Sequence, residues 1–171
     1  RYRTSSDLDV VGTRERELCH CSQRRSSMRR VRAESLRLGG GVAASVIIIA
    51  FAIRFAVEQQ LRLGESISLV GDVLHLTRGT NSGVAFGFLR GSPLVPWLTA
   101  VALIGIALVA AQQQSRLSSL AWGLILGGGL ANVIDRISDG RVTDYIAVTI
   151  GRWQYPTFNV PDIAITFGFV V

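Results

Sequence analysis

The stretch GGGLANVIDRISDGRVTDYIAV, residues 127–148, and its sequel YPTFNVPDIAI, residues 155–165, carry the polar groups around which this chain is organised. Each stretch brings an apolar run to a polar boundary, and the polar residues at the first boundary are Asn132, Asp135 and Arg136. Charge at the end of a membrane span is costly, so such residues are by default candidates for a functional site. We expect Asp144 and Asp162 to face one another there.

The composition is that of a membrane protein. The chain has 171 residues, of which 49% are hydrophobic and 18% are charged, and its mean hydropathy is +0.37. Soluble domains are more polar and more evenly patterned. All 18 basic residues are Arg, the net charge is +6, and ten of the arginines precede Leu38. That block fits the cytoplasmic side of a membrane, whereas a nucleic-acid groove would carry interleaved aromatic residues, and only Tyr2 is present.

The N-terminal segment, residues 1–37, is predicted to be unfolded. An Arg- and Ser-rich segment without a helical apolar stripe buries too little surface to offset its chain entropy. Met28, the only Met of the chain, begins the basic lead MRRVRAESLR, which is typical of a cytoplasmic N-terminus before a first span. We therefore expect the native protein to begin at Met28, with residues 1–27 not belonging to it.

A metal site near the N-terminus is not expected. Cys19 and Cys21 flank His20, but a tetrahedral site needs four ligands at workable spacing, and the only other His is the distant His75. Neither cysteine follows the apolar region that precedes a lipid-attachment cysteine. The sequence predicts neither a metal nor a cofactor.

Four apolar segments are predicted to span the membrane. The first, residues 38–57, has about the 20 residues that a bilayer core requires, and its one charge, Arg54, lies near the outer end, where a long side chain reaches the membrane surface. A signal peptide is the alternative, but no obvious small-residue cleavage site follows the apolar region. The other spans are predicted at 94–111, at 120–134 and from residue 158.

Four spans place both termini in the cytoplasm and the segments 58–92 and 136–157 outside. The inner side then holds eleven arginines and the outer side six, without Arg54, as the positive-inside rule requires. The predicted fold is an all-α membrane protein of four transmembrane helices with a small extracytoplasmic β-sheet region and a disordered basic N-terminal extension. Residues 38–171 form the membrane domain. Its last helix is expected to be truncated, because the 14 residues 158–171 extend about 21 Å against a core of roughly 30 Å.

The outer segment 58–92 is predicted to contain the sheet. SISLV at 66–70 and DVLHLT at 72–77 alternate apolar and polar residues, which indicates two short strands. The following TRGTNSGVAFGFLRG, residues 77–91, combines glycines that permit tight turns with apolar bulk. Two interpretations remain for it: a segment that dips into the membrane interface, or an ordinary Gly-rich loop with a hydrophobic anchor.

Four segments resemble, in this order, the motifs of the lipoprotein signal peptidase family, the membrane aspartic peptidases also called type II signal peptidases. They are NSGVAFGFL at 81–89, ANVIDR at 131–136, GRVTDY at 140–145 and FNVPD at 158–162. The resemblance implies a four-helix membrane endopeptidase that cleaves the signal peptide of a prolipoprotein before its diacylglyceryl-modified cysteine. It also implies a monomer in the bacterial cell membrane, with its site near the extracytoplasmic face and with no metal, cofactor or nucleic-acid partner.

The same resemblance assigns residues to the site. The catalytic aspartates are Asp144, in RVTDY, and Asp162, in FNVPD. The family's other polar motif positions around the site fall on Asn81, Asn132, Asp135, Arg136 and Asn159. The chain departs from the family pattern at Ala50, where the first helix usually carries an Asp, and at Pro161, which replaces a small Ala.

The chemistry of two carboxylates agrees with this assignment. Peptide hydrolysis needs an ionised group to take a proton from water and a protonated group to polarise the carbonyl, and nearby like charges push the two pKa values apart. Asp162 follows Pro161, a residue favoured in the first turn of a helix, so the helix dipole favours an ionised Asp162. Asp144 is then the better candidate for the shared proton, although a coupled pair titrates as a unit.

The remaining polar residues have two interpretations. Asn132 and Asp135 are three residues apart and share a helix face, where with Arg136 they brace the site. The alternative is a simple ion pair between Asp135 and Arg136 at the end of the helix. Asp139, in the sequence SDG, is interpreted as a turn residue.

Other classes of function make different demands on the sequence. A catalytically impaired family member, or a non-enzymatic four-helix membrane protein that binds lipidated peptides, has no need of both Asp144 and Asp162. A small transporter subunit would carry its polar residues at mid-membrane, whereas here they gather at one face. A membrane aspartic peptidase is therefore the favoured hypothesis.

Overall fold

The computed structural model describes residues 5–82, 92, 94–112 and 115–171, with side chains from residue 27 onward. Within these ranges the chain forms four helices: α1 (Ser5–Gln60), α2 (Val95–Ala110), α3 (Arg116–Asp139) and α4 (Val160–Val170). It also forms four strands: β1 (Ser66–Val70), β2 (Leu74–Asn81), β3 (Val142–Ile150) and β4 (Trp153–Gln154). The strands pair antiparallel in the order β1-β2-β3-β4.

Helices form where the four spans are predicted. Among the described residues, two helical stretches are long and apolar enough to cross a membrane: Ser27–Gln60 of α1, and α3. They contain the predicted first and third spans. The helices α2 and α4 are apolar but shorter, and they coincide with the predicted second and fourth spans. That all four cross the membrane stays a prediction.

The N-terminal segment differs from the expectation. The prediction that residues 1–37 are unfolded is wrong for residues 5–37, which belong to α1 and continue into the apolar span without a break. The segment 5–37 contains eight Arg, three Glu and three Leu, which are strong helix formers, and no Pro interrupts it. Because the segment extends an existing helix, it avoids the cost of nucleating a new one.

Helix α3 is central, and three successive glycines let the other helices approach it. A Cβ on Gly127 would lie 2.8 Å from the backbone of Ala43 in α1, and one on Gly128 would lie 2.4 Å from the carbonyl oxygen of Pro161 in α4. A Cβ on Gly129 would lie 2.4 Å from the side chain of Leu103 in α2. Successive helical residues point about 100° apart, so the three glycines serve three different neighbours. The prediction that these glycines allow close helix packing is confirmed.

The predicted two-stranded part of the sheet is confirmed. Strand β1 coincides with SISLV, and β2 follows after a turn at Gly71, whose φ is 49°. Strand β2 runs on to Asn81, beyond the predicted end at residue 77, because its second half pairs with β3. Of the predicted Gly-rich segment 77–91, residues 83–91 lie outside the described residues.

Strands β3 and β4 are not predicted from the sequence, which only places the segment 136–157 outside the membrane. In the structure β3 occupies residues 142–150 and turns at Gly151, whose φ is 61°, into β4. The signal was present in VTDYIAVTI, which is rich in β-branched and aromatic residues. Strand β3 lies between β2 and β4 in the sheet and carries Asp144.

Candidate active site

A cavity of about 350 Å³ lies between α3, β3 and the start of α4. Five residues predicted for the site line it: Asn81, Asn132, Arg136, Asp144 and Asp162. The sixth, Asn159, is 1% exposed and contacts both aspartates. The seventh, Asp135, is not part of the lining. Apolar and aromatic side chains that the sequence analysis did not assign complete the wall, among them Tyr155, Phe158 and Ile165.

Strand alternation and backbone pairing position Asp144. Successive side chains of a strand point to opposite faces, so Asp144 lines the cavity while Thr143 and Tyr145 line a small hollow on the other side. The carbonyl oxygen of Phe158 accepts the N–H groups of Tyr145 at 3.0 Å and Ile146 at 2.8 Å. This pairing brings the motif that follows Phe158 beside β3, which is how two distant stretches of sequence meet.

A capping box positions Asp162. Asn159 is the N-cap of α4, and its side-chain oxygen accepts the backbone N–H of Asp162 at 2.9 Å. In return, Asp162 Oδ2 accepts the backbone N–H of Asn159 at 3.3 Å. Pro161 lies in the same first turn, as the sequence predicts. The box holds the Asp162 carboxylate at the positive end of the helix dipole.

Asparagine side chains connect the two carboxylates. Asn132 Nδ2 donates to Asp162 Oδ1 at 2.9 Å, and Asn132 Oδ1 accepts a hydrogen bond from Asn159 Nδ2 at 3.3 Å. The same Asn159 Nδ2 donates to Asp144 Oδ1 at 3.0 Å. Asn81, at the end of β2, also hydrogen-bonds to Asp144. These amides supply the donors that buried carboxylates require.

The two carboxylates are not electrostatically equivalent. Burial, and after it the negative charge of Asp162, raises the pKa of Asp144 to about 7. The amides of Asn81 and Asn159 and the positive charge of Arg136 oppose this shift. Asp144 is only 3% exposed, so the cost of removing its charged form from water outweighs these opposing effects on its pKa. At neutral pH a large fraction of Asp144 therefore keeps its proton.

Arg136 supplies positive charge on the cavity side of α3. Its guanidinium interacts electrostatically with Asp162, Asp144 and Asp135, and Nη1 donates to the carbonyl oxygen of Asn132 at 3.1 Å. The bond to Asn132 orients the Arg136 side chain along its own helix. Arg136 thus lies beside the two cavity carboxylates.

Asp135 and Asp139 differ from their predicted places. Asp135 is 6% exposed and forms an ion pair with Arg54 of α1 outside the cavity lining. It therefore braces the contact between two helices. Asp139 is the last residue of α3 and also pairs with Arg54, and the turn itself is made by Gly140, whose φ is 72°.

Two residues that support the site, Tyr145 and Thr143, are not predicted from the sequence. The Tyr145 hydroxyl accepts the backbone N–H of Val160 at 3.0 Å and so fixes the start of α4, and burial raises the pKa of this phenol to about 12. Thr143 Oγ1 donates to Glu58 Oε1 at 3.0 Å, which fastens β3 to α1. The period-two pattern around Asp144 in VTDY is the signal that predicts these two residues to share the opposite face.

This arrangement has the parts for hydrolysis by acid and base. Asp144, with a pKa raised to about 7, is partly protonated at neutral pH, while both oxygens of Asp162 accept N–H donors. The cavity beside them has room for a water molecule and a peptide group. One carboxyl group can protonate a carbonyl oxygen while the other accepts a proton from water.

Comparisons with known proteins agree with one another. A model of the family described as signal peptidase (SPase) II matches residues 42–171. The lipoprotein signal peptidase of Geobacillus kaustophilus (strain HTA426) is 33% identical over 133 residues, which cover 76% of this chain and 86% of that protein. The lipoprotein signal peptidase of Brevibacillus brevis (strain 47 / JCM 6285 / NBRC 100599) is 38% identical over 133 residues, with coverages of 74% and 86%.

Solved structures give the same result at the level of the fold. A structure described as a bacterial membrane enzyme, determined by the in meso method at 2.3 Å resolution, superposes with a TM-score of 0.70 at 27% identity. The match covers 75% of this chain and 80% of that one. A second structure of the same description, at 1.9 Å resolution, gives a TM-score of 0.68, also at 27% identity.

Replacing Asn159 tests the amide network. Asn159→Ala should lower the unfolding temperature in detergent, because it removes the cap of α4, at a cost of about 0.5–2 kcal/mol, and a donor to buried Asp144, at about 1–3 kcal/mol more. Ser115→Ala is the matched control, because Ser115 caps the exposed start of α3 through Ser118 N–H at 3.0 Å and touches neither carboxylate. Equal losses in the two variants would show that the network adds nothing to the cap.

Proposed function

Because this chain belongs to the signal peptidase II family and so removes signal peptides from prolipoproteins, we propose that it does so as an aspartic endopeptidase with Asp144 and Asp162 as the catalytic pair. The observation that carries the proposal is the network in which Asn159 and Asn132 join the two buried carboxylates beside one cavity. Five of the seven polar motif positions line that cavity, and Asn159 contacts both carboxylates.

The proposed reaction uses the inequality of the two carboxyl groups. Asp162, ionised, takes a proton from a water molecule as the water oxygen attacks the scissile carbonyl carbon. Asp144 donates its proton to the carbonyl oxygen, which gives a neutral tetrahedral intermediate. When the C–N bond breaks, the leaving amine takes the proton from Asp162, and Asp144 recovers its own from the intermediate as the carboxyl product forms. Neither carboxyl group ends with a net change.

Arg136 and the asparagines have supporting roles in this proposal. The guanidinium offsets the negative charge that two close carboxylates and the attacking water bring together. Asn132 and Asn159 hold the carboxylates in fixed orientations, which preserves the geometry for the water between turnovers. Asn81, at the end of β2, gives Asp144 a further hydrogen bond.

The proposed substrate is a prolipoprotein that is cleaved before its diacylglyceryl-modified cysteine. A cavity of about 350 Å³ accommodates the residues around a scissile bond. Its wall combines the polar residues with the apolar side chains of Phe158 and Ile165, which suits a peptide that carries lipid. A non-enzymatic protein that only binds lipidated peptides has no use for a protonated carboxyl beside an ionised one.

The chain is a membrane protein, and we propose that residues 38–171 form a monomeric four-span unit with its site at the extracytoplasmic face. The cavity, the sheet and the end of α1 lie at the same end of the helices, since Asp162 begins α4 while Asp139 ends α3. The opposite end carries the arginine-rich part of α1 and Arg116. This polarity supports a cytoplasmic N-terminus.

Substitution of the aspartates tests the catalytic pair. Asp144→Asn and Asp162→Asn should each lose nearly all cleavage of a diacylglyceryl prolipoprotein in detergent, because each removes one acid-base role without changing side-chain size. The double variant should be little worse than either single one, since groups that act as a unit are strongly non-additive. Asp72→Asn, in the exposed turn between β1 and β2, is the control and should cut normally. Near-native turnover by either single variant at equal protein level would exclude this mechanism.

The pH profile tests which aspartate carries the proton. The pKa of Asp144 in the folded protein is raised to about 7, above its value of about 4 in an unfolded chain, so the protonated form persists below pH 7 and is lost above it. If Asp144 is the acid, kcat/KM should fall as the pH rises through about 7, approaching tenfold per pH unit. A rate that instead rises over this range would reverse the two roles.

Thiol labelling tests the orientation in the membrane. In a background with Cys19→Ser and Cys21→Ser, a cysteine at Ser68, on the exposed strand β1, should react with an impermeant reagent added to intact cells. A cysteine at exposed Ser115, before α3, should react only after the cells are opened. The reverse pattern would place the site on the cytoplasmic side.

A further inference from the structure

We propose that Arg54 is a positioning residue for Asp144 and acts through Thr143, the residue before it in β3. The proposal rests on the proposed catalytic role of Asp144. Arg54 lies in α1 and is absent from the cavity lining, so it does not act on the substrate directly. Its contacts instead reach the face of β3 that is turned away from the cavity.

Arg54 forms ion pairs with three carboxylates. Its Nε donates to Glu58 Oε1 at 2.9 Å, one turn further along α1, and its two Nη groups donate to Asp135 and Asp139 of α3. The Arg54 side chain is only 15% exposed. A charge inside an apolar span is expensive and therefore usually marks a function, and this one is met by carboxylates from two helices.

Two of these carboxylates hold Thr143. Glu58 Oε1 accepts the Thr143 hydroxyl at 3.0 Å, and the carboxylate of Asp135 accepts the backbone N–H of Thr143. Thr143 is 6% exposed. Arg54 thus fixes two hydrogen-bond acceptors, Glu58 in α1 and Asp135 in α3. Both acceptors bind Thr143 of β3.

The backbone of β3 couples the position of Thr143 to that of Asp144. Thr143 and Asp144 are neighbours on opposite faces of the strand, so a shift or rotation of Thr143 moves the Asp144 carboxyl relative to the cavity. On the other side of Asp144, Tyr145 is bound to the start of α4 through Val160 N–H at 3.0 Å. Asp144 is therefore held from both sides, by the Arg54 cluster through Thr143 and by α4 through Tyr145.

The planar guanidinium suits this arrangement. Its fork of donors serves Glu58, Asp135 and Asp139 at once, whereas the ammonium of a Lys is a single point charge. Without Arg54 the three carboxylates repel one another and buried Asp135 loses its counterion. The acceptors of Thr143 then separate, and Asp144 loses its orientation towards Asp162.

Steady-state kinetics on a diacylglyceryl prolipoprotein test the role of Arg54. Arg54→Gln should lower kcat by about tenfold to a hundredfold, which is the cost of a small misplacement of a reacting group, with KM little changed. Arg54→Lys should restore part of kcat, because Lys supplies the positive charge but not the planar set of N–H donors of Arg. Arg62→Gln, an exposed arginine just beyond the end of the same helix, is the matched control and should keep the native kcat.

A second substitution tests the route through Thr143. Thr143→Val keeps the shape of the side chain and removes the hydroxyl that binds Glu58, so it should lower kcat by a smaller factor than Arg54→Gln. The double variant should be no slower than Arg54→Gln alone, because both changes break the same connection. Losses that multiply would show two independent effects and would overturn the proposed route.

The outcomes separate this inference from the proposed function. If the native protein cleaves the substrate and Asp144→Asn does not, the catalytic assignment stands, and a native kcat in folded Arg54→Gln overturns the positioning role alone. A loss confined to KM would overturn it as well. If Arg54→Gln yields no folded protein, Thr143→Val decides, because a native kcat in that variant is incompatible with the route. If Asp144→Asn retains activity, the proposed function itself fails.

Discussion

A carboxylate that is removed from water must be met by hydrogen-bond donors, and this requirement governs how α3, β3 and α4 come together. Asn159 meets it for both aspartates: its Nδ2 donates to Asp144, and its backbone N–H donates to Asp162. The same side chain caps α4. The geometry of the site and the start of a helix therefore depend on one residue, and neither can change without the other.

The residues of α3 face two different neighbours, α4 with the cavity on one side and α1 on the other. Gly128 lies against Pro161 of α4, and Asn132, one turn later on the same face, binds Asp162. Gly127 lies against Ala43 of α1, and Asp135, two turns later, pairs with Arg54 of that helix. Close helix approach at the glycines thus aligns two polar rows, one facing the cavity and one facing α1. Membrane helices use small residues for such approach.

Strand β3 connects these two polar rows. One of its faces presents Asp144 to the cavity, and the other is fastened at Thr143 and Tyr145 to the helices. The raised pKa of Asp144 depends on the same burial, because a carboxyl group held this firmly at 3% exposure cannot turn to water. Anchoring, burial and protonation are therefore consequences of one packing arrangement.

Patterns in the sequence predict a membrane protein with apolar helices and the strands β1 and β2, because periodicity and polar boundaries are local properties. The sequence singles out Asp144 and Asp162 as the candidate pair through the resemblance of their motifs to those of a known family. It also predicted Asp162 in a first turn, since Pro161 precedes it. That Asp135 faces Arg54 depends on how α1 packs against α3, because a spacing of three residues does not say which neighbour a helix face meets. The order of the sheet and the amide links through Asn159 likewise arise from contacts between segments distant in sequence, which no local pattern records.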